Sequence, residues 1–296
     1  MRNFARLYRC IISRAYARNY FEMKRFTQNL VVILAIAALF FSCSGLGKVT
    51  KSGDPELMYN TALKLYKAEK WTRASDMFDA CAGYYIGSER EDSIAFFSAR
   101  SKYKNRDYHE ASADFDEFRR KFGRSVFIED AEGMFAMCEY YLSPAPSRDQ
   151  TQTAKAIVTL NTFIERYPNS ERVQAFRDII EELTARLHEK NFLNAYSYFK
   201  VERYKSAVVA FKNALKNYDN TTYREQIMYY IVVSNYRLAH NSISEKQADR
   251  YLAMLDSYYS FIEEYSDSKH KKELDRYFKE AKDFIDKNKQ NENNLK

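Results

Sequence analysis

Few side chains in this 296-residue chain stand at spacings that could do chemistry. The four histidines, His109, His188, His240 and His270, are scattered, and none pairs with a Cys or Asp at a metal-ligand spacing. The sequence holds no glycine-rich phosphate loop and no nucleophile motif. Adjacent acids such as Glu181/Glu182 and Glu263/Glu264 read as solvated helix faces rather than acid–base pairs. No catalysis, metal or cofactor is therefore expected. The side chain with a chemical handle is Cys43, which stands where an apolar run breaks.

That run, residues 30–41 (LVVILAIAALFF), is twelve long, too short for a comfortable membrane span and right for a signal-peptide core. Lys24 and Arg25 precede it, and Met23 reads as a natural start. Residues 1–42 are thus expected to be a signal region, with 1–22 arising from an upstream start codon. The run ends in F-F-S-C-S-G, which resembles a bacterial lipoprotein signal: a small Ser42, then a cysteine to be diacylated and cleaved. Phe40 stands where Leu is most usual and Phe41 where a small residue is common. The alternatives are an ordinary signal peptide cut near Ser42 or Ser44, or an uncleaved anchor. Acyl (palmitate) chains on Cys43 would tether the protein to outer-membrane lipid with no spanning helix. Ser44, where sorting would read an Asp, resembles an outer-membrane address, and the absence of an acidic cluster after Cys43 favours the periplasmic face. Residues 44–54 (SGLGKVTKSGD) hold three of the seven glycines and read as a flexible tether.

The elements behind this leader repeat. Ala62, Ala99 and Ala136 are 37 apart, and so are Tyr66, Tyr103 and Tyr140. Ala74 and Ala111 follow the first two alanines by twelve, each with a phenylalanine four later, Phe78 and Phe115. A second signature closes each unit: a core residue, an aromatic four later, a hydroxyl three after that. The sets are Cys81/Tyr85/Ser88, Phe118/Phe122/Ser125, Phe163/Tyr167/Ser170, Ala214/Tyr218/Thr221 and Phe261/Tyr265/Ser268, and the hydroxyl can cap the next helix. The small-x3-aromatic second helix and the terminal Pro of F-I-E-R-Y-P-N-S (residues 163–170) resemble the tetratricopeptide repeat. The expected fold is therefore all-α: a tetratricopeptide-like solenoid of about five helical hairpins with a C-terminal capping helix.

Helix pairs are expected at about 55–69 and 71–85, then 89–105 and 108–122. Longer loops are expected around 143–150 and 240–246. The sole tryptophan, Trp71, is expected to pack a corner that Tyr108 and Tyr204 fill elsewhere. Residues 171–187 add helical sequence that can fuse with the next repeat and mark a boundary between an N-terminal half (55–170) and a C-terminal half (171–287). The capping stripe is Leu274, Tyr277, Phe278, Ala281, Phe284 and Ile285, and residues 288–296 read as a disordered tail. Cys81 and Cys138 lie two helix pairs apart in the alignment and read as buried small hydrophobes, not a disulfide.

Charge excludes one class of partner. The net +7 resides in the leader: residues 1–42 carry seven Lys/Arg and one acid, so of 47 basic and 40 acidic residues the rest of the chain keeps 40 and 39. That balance gives no support to nucleic-acid binding.

In tetratricopeptide-like stacks the first helix of each pair lines the concave face. Projected here, it gives Tyr59, Leu63, Tyr66 and Lys67, then Phe96, Arg100, Tyr103 and Lys104, then Gly133, Met137, Tyr140 and Tyr141. Aromatics and lysines there suit an extended or helical peptide. The competing expectation is that these tyrosines only pack between neighbouring helices.

Taken with the lipoprotein signal, five aromatic-rich repeats with irregular spacing and a closing helix, residues 43–287 resemble the BamD family of outer-membrane protein assembly lipoproteins. The resemblance implies a non-enzymatic, lipid-anchored scaffold of the machinery that folds and inserts β-barrels. It implies unfolded β-barrel precursors as partners of the groove residues. It also implies a BamA-like barrel subunit docked on repeats four and five (residues 192–200 and 229–236). An envelope scaffold for peptidoglycan or cell-division machinery, or a glycan-uptake accessory lipoprotein, are the alternatives, though the two eight-residue loops look short for glycan capture.

Overall fold

A computed structural model describes residues 44–217 and 221–294. Twelve α-helices are found among them: α1 (Ser44–Lys51), α2 (Pro55–Lys67), α3 (Trp71–Ala82, extended by a 3-10 turn Gly83–Tyr85), α4 (Glu91–Lys104), α5 (Tyr108–Lys121), α6 (Ile128–Leu142), α7 (Thr151–Arg166), α8 (Val173–Lys200), α9 (Tyr204–Asn217), α10 (Arg224–His240), α11 (Ser244–Glu264) and α12 (Lys271–Asn294). The chain forms two compact units, the first ending at Asn105 and the second beginning at Arg106. Consecutive helices pack in pairs within each unit, from α2 through α4 in the first and from α5 through α12 in the second. The fold is all-α, tetratricopeptide-like, and ends in a capping helix.

The alanines with the repeat spacing sit where helices cross. Ala62, Ala74, Ala99, Ala111, Ala136 and Ala156 are all fully buried, as are Ala207, Ala239 and Ala281. A methyl group at the crossing lets two backbones approach closely. The large residue four positions later then fills the space beside it: Phe78, Phe115, Leu160 and Phe211 are each fully buried. Each such ring or Leu contributes about 1.5–3 kcal/mol by leaving water.

The hydroxyl signature makes the joint between hairpins. The N–H of the Ser donates to the carbonyl of the aromatic three residues earlier in Ser88→Tyr85, Ser125→Phe122, Ser170→Tyr167 and Ser268→Tyr265, at 2.9–3.2 Å. The Oγ of Ser88, Ser125, Ser170, Thr221 and Ser268 accepts from the N–H two residues on, at 3.0–3.4 Å. The hydroxyl therefore caps a tight turn leading into the helix, rather than standing at the helix N-cap itself. Asp54 is a true cap: its carboxylate accepts from the N–H groups of Glu56 and Leu57, with Pro55 in the first turn.

Five sequence expectations change. The longer loop expected around 240–246 shrinks to residues 241–243, because α11 begins at Ser244 and takes up the extra sequence as helix. Residues 44–51, read as a tether, form α1, whose Leu46 and Val49 pack on the core of the first hairpin around Met58, Ala62 and Phe78. The boundary expected near residue 171 is not where the chain divides. Instead α8 runs unbroken for 28 residues, about 42 Å. Its Phe176 and Leu183 enter the core of α6 and α7, and its Phe192 and Ala195 that of α9 and α10. Helix α12 continues to Asn294, through residues expected to be a tail. Residues 192–200 and 229–236, expected to face a partner, hold much of the core: Phe192, Ala195, Tyr236 and all of 231–235 are buried. Trp71 behaves as expected, meeting Tyr66 edge-on at 5.3 Å. Cys81 and Cys138 are free and buried, their thiols pushed up to about 11 and about 12 by burial. Cys43 and Tyr218 lie outside the described residues.

The capping helix is tied down by tyrosine–carboxylate bonds. Tyr229 donates to Glu273 (3.0 Å), Tyr258 to Asp275 (2.5 Å) and Tyr236 to Glu280, while Tyr277, on the capping helix itself, also donates to Glu273 (2.8 Å). Burial and these carboxylates push the Tyr229, Tyr236 and Tyr258 hydroxyls upward, and burial pushes Tyr230 up to about 12. An unfolded tyrosine ionises near 10. The folded state therefore holds protons that the unfolded state gives up. This contribution is fully present below about pH 10 and is lost as pH rises towards about 12. Urea midpoints measured at pH 7, 10 and 11 should fall across that window, and less steeply in Tyr236→Phe, which should also lose about 1–2 kcal/mol at pH 7.

Ser234 stands at the crossing position that Ala136 occupies in its repeat. Its side chain is buried, and its Oγ finds no hydrogen-bond partner among the described residues. A stranded hydroxyl costs about 1–3 kcal/mol. Ser234→Ala should therefore raise stability by about 1 kcal/mol, seen as a Tm rise of about 2–4 °C in a thermal melt.

Candidate functional site

The side chains chosen from sequence lie on α2 and α4 in the first unit and on α6 in the second. In the first unit Lys67 and Lys104 are exposed, and Tyr59, Leu63, Tyr66, Arg100 and Tyr103 are half-buried. Phe96 departs from the expectation: it is 1% exposed and belongs to the core, with the Arg100 guanidinium 5.8 Å from its ring centre. Its neighbour Phe97 is the ring that meets Tyr66, edge-on at 5.1 Å. Tyr66 is thus wedged between Trp71 and Phe97, and burial pushes its hydroxyl upward. Tyr59 packs on Phe78 and Tyr85, with the Arg90 guanidinium 5.1 Å from its ring centre. Arg90 in turn pairs with Glu56 at 2.7 Å, and Tyr85 donates to the same carboxylate at 3.1 Å.

In the second unit Gly133 is buried, and the Arg172 side chain lies where a Cβ would reach 3.1 Å from it. No side chain larger than hydrogen fits there unless Arg172 shifts. Met137 is half-buried against the core of α6, α7 and α8. Tyr140 donates to Glu182 on α8 at 3.0 Å, and Arg186 pairs with that carboxylate and places its guanidinium 5.6 Å from the Tyr140 ring centre. Tyr141 is 46% exposed and stacks on Tyr108 at 4.3 Å. The tyrosines of this face thus act first as staples between helices. Lys67, Lys104 and Tyr141 present the most accessible surface.

Sequence reasoning missed a second, polar groove of about 430 Å³ between α5, α6 and α7. Its floor holds Glu139, buried on α6. Oε1 accepts from Ser112 at 2.6 Å, and Oε2 accepts from Gln152 at 2.6 Å and pairs with Lys155 at 3.0 Å. One helical repeat away, buried Glu132 pairs with Arg166. Between them Phe135 lies under the Arg119 guanidinium, 4.5 Å from the ring centre. The signal was available: two acids seven apart on one helix face, flanking a core phenylalanine. With both oxygens of Glu139 engaged, the carboxylate cross-links three helices.

Among the described residues no group of three or more His, Cys, Asp or Glu could hold a metal ion, and no helix is long and apolar enough to cross a membrane. Fold and faces together define a helical-repeat binding protein. Residues 51–251, more than half of the chain, match the family model described as YfiO, outer membrane lipoprotein, and the chain belongs to that family. Its relatives include the outer membrane protein assembly factor BamD of Caulobacter vibrioides, 23% identical over 68% of this chain and 68% of that one. BamD of Helicobacter pylori is 24% identical over 50% of this chain and 69% of its own length. BamD of Rickettsia prowazekii is 21% identical over 71% of this chain and 84% of that one. A solved structure, the TPR2AB domain of yeast Sti1 in its pHSP90 complex, aligns at 13% identity and a TM-score of 0.37 over 77% of this chain and 98% of that one, too distant a likeness to bear on function.

The two acidic features should separate in stability. Glu139→Ala strands buried donors and should cost about 1–3 kcal/mol, whereas Tyr140→Phe removes one exposed staple and should cost about 1 kcal/mol or less. Urea unfolding of both variants measures this; equal losses would contradict the distinction between buried clamp and surface staple.

Proposed function

We propose that this protein is a non-enzymatic adaptor of the outer-membrane β-barrel assembly machinery, held at the periplasmic face of the outer membrane by acyl chains on Cys43. The observation that carries this reading is the family match over residues 51–251, with relatives named as outer membrane protein assembly factors. The exposed residues of the aromatic face supply its chemistry: Lys67 and Lys104 meet carboxylates or acidic side chains of an unfolded barrel precursor, and Tyr141 offers a ring at low rotamer cost. The second unit carries the surface for the periplasmic domains of a BamA-like barrel subunit. Within residues 192–200 the exposed Tyr198, at 46%, is the side chain best placed for that contact.

The test is affinity purification of the full-length lipoprotein from its own membrane, followed by mass spectrometry. A stoichiometric outer-membrane β-barrel protein with repeated periplasmic domains is expected. Recovery of peptidoglycan enzymes or glycan transporters without that barrel would overturn the assembly role. The combined Lys67→Glu, Lys104→Glu and Tyr141→Ala variant should bind a denatured barrel-precursor peptide about tenfold or more weakly, with its melting profile little changed.

A further inference from the structure

The end of the first hairpin where the chain enters carries apolar side chains that the fold leaves in solvent. Ile86 is 74% exposed, Tyr84 59% and Leu57 44%. They gather at one end because Tyr85, between the first two, donates to Glu56, next to Leu57, at 3.1 Å and packs on Tyr59 at 5.9 Å. The Arg90–Glu56 pair braces the same corner. Burying none of three such side chains costs the folded chain stability, and a cluster of this kind marks a contact surface.

The chain reaching this corner has little slack. Helix α1 begins at Ser44, the residue after Cys43. Leu46 and Val49 seat it on the hairpin core. Three residues, Ser52–Gly53–Asp54, connect it to α2, and they are tied: Ser52 Oγ donates to the Val49 carbonyl at 2.6 Å and accepts from the Asp54 N–H at 3.3 Å, while Asp54 caps α2. Gly53, at φ +68°, makes the bend. The eight residues of α1 span only about 12 Å. Lys48 and Lys51 point away from the core, into solvent.

We infer that the exposed corner Leu57–Tyr84–Ile86, with Lys48 and Lys51 of α1, rests on the phospholipid surface and seats its apolar side chains at the headgroup–acyl boundary, so that the first hairpin is docked on the membrane rather than hung from it. The inference rests on the acylation of Cys43. A lipid surface is the occupant the chemistry fits: aliphatic tips beside a tyrosine, with the exposed Lys48 and Lys51 on the helix that leads from Cys43 to the corner, is the composition of interfacial anchors. The acyl chains, entering the bilayer about one short helix from the corner, hold it at the depth where those side chains bind. A second lipid-binding signal of this kind makes attachment by acyl chains durable.

The test uses the full-length acylated protein in phospholipid vesicles, with nitroxide labels placed singly by Ile86→Cys, Tyr84→Cys and, as control, Val158→Cys on α7, which is 64% exposed in the second unit. Cys81 and Cys138 are buried and remain unlabelled. Collision with dissolved oxygen, relative to a water-soluble nickel chelate, should rise at least threefold on membrane binding for labels at 84 and 86 and stay unchanged at 158. The intact mass of the same sample reads acylation. Labels that stay aqueous on a chain whose mass shows acylated Cys43 overturn the docking and leave the lipid anchor standing; shielding that arises only when a partner protein is added overturns it in favour of a protein contact. A mature chain without acyl mass overturns both.

Discussion

Close approach of helices at alanine is the constraint on which the rest of the structure depends. A fully buried methyl side chain at these positions lets neighbouring backbones approach, and the large side chain four residues later is buried beside it at Phe78, Phe115, Leu160 and Phe211. A larger residue at Ala74, Ala111 or Ala207 would push its pair apart and strand the phenylalanine four residues on. The recurring aromatic-x-x-hydroxyl turn depends on the same spacing. It can return the chain for the next helix only if the helix it leaves ends at the right height, which the crossing sets.

Once the helices stand this close, the polar side chains on their faces are within reach of each other, and the structure uses them. Tyr140 reaches Glu182, and Tyr229 reaches Glu273. Ser98 reaches Asp79 at 2.5 Å, and Ser268 reaches Glu225 at 2.6 Å. At the helix starts Asp130 pairs with Arg172 at 2.5 Å, and Arg224 clasps Glu264. These bonds lie between helices that are neighbours in space but far apart in sequence, so they fix rotation as well as distance. The near-neutral charge of the body outside its leader thus reflects acids and bases that meet one another.

What the sequence disclosed and what it hid divide along the same line. Helix starts and ends, the corner role of Trp71, the long loop at 143–150 and the burial of Cys81 and Cys138 followed from spacing, because each depends on neighbours along the chain. Phe96 was misplaced on the surface because Phe96 and Phe97 are adjacent, and periodicity alone did not say which ring turned inward. Helix α1 was read as tether because the glycines of residues 44–54 lower local helix propensity, whereas Leu46 and Val49 gain enough from the hairpin core to reverse that. The Glu139 clamp could not be paired from sequence, since Ser112 and Gln152 come from two other helices. Acids seven apart beside a core phenylalanine were its one local sign.

The stapling of the aromatic face bears on the kind of ligand such a face can hold. A peptide donor that used Glu182 would share the carboxylate with Tyr140 and Arg186. The new hydrogen bond would replace one to water, leaving a modest net gain per polar contact. In the proposed precursor contact, affinity would then come from apolar area around Tyr141 in the second unit, or from charge at Lys67 and Lys104 in the first, each a set of weak contacts. A chain that is unfolded when bound also gives up its own conformational freedom, which lowers affinity further. Weak, distributed binding suits a protein that must receive an unfolded segment and release it again, whereas a pre-formed deep pocket with unpaired polar groups would hold one sequence and let go slowly.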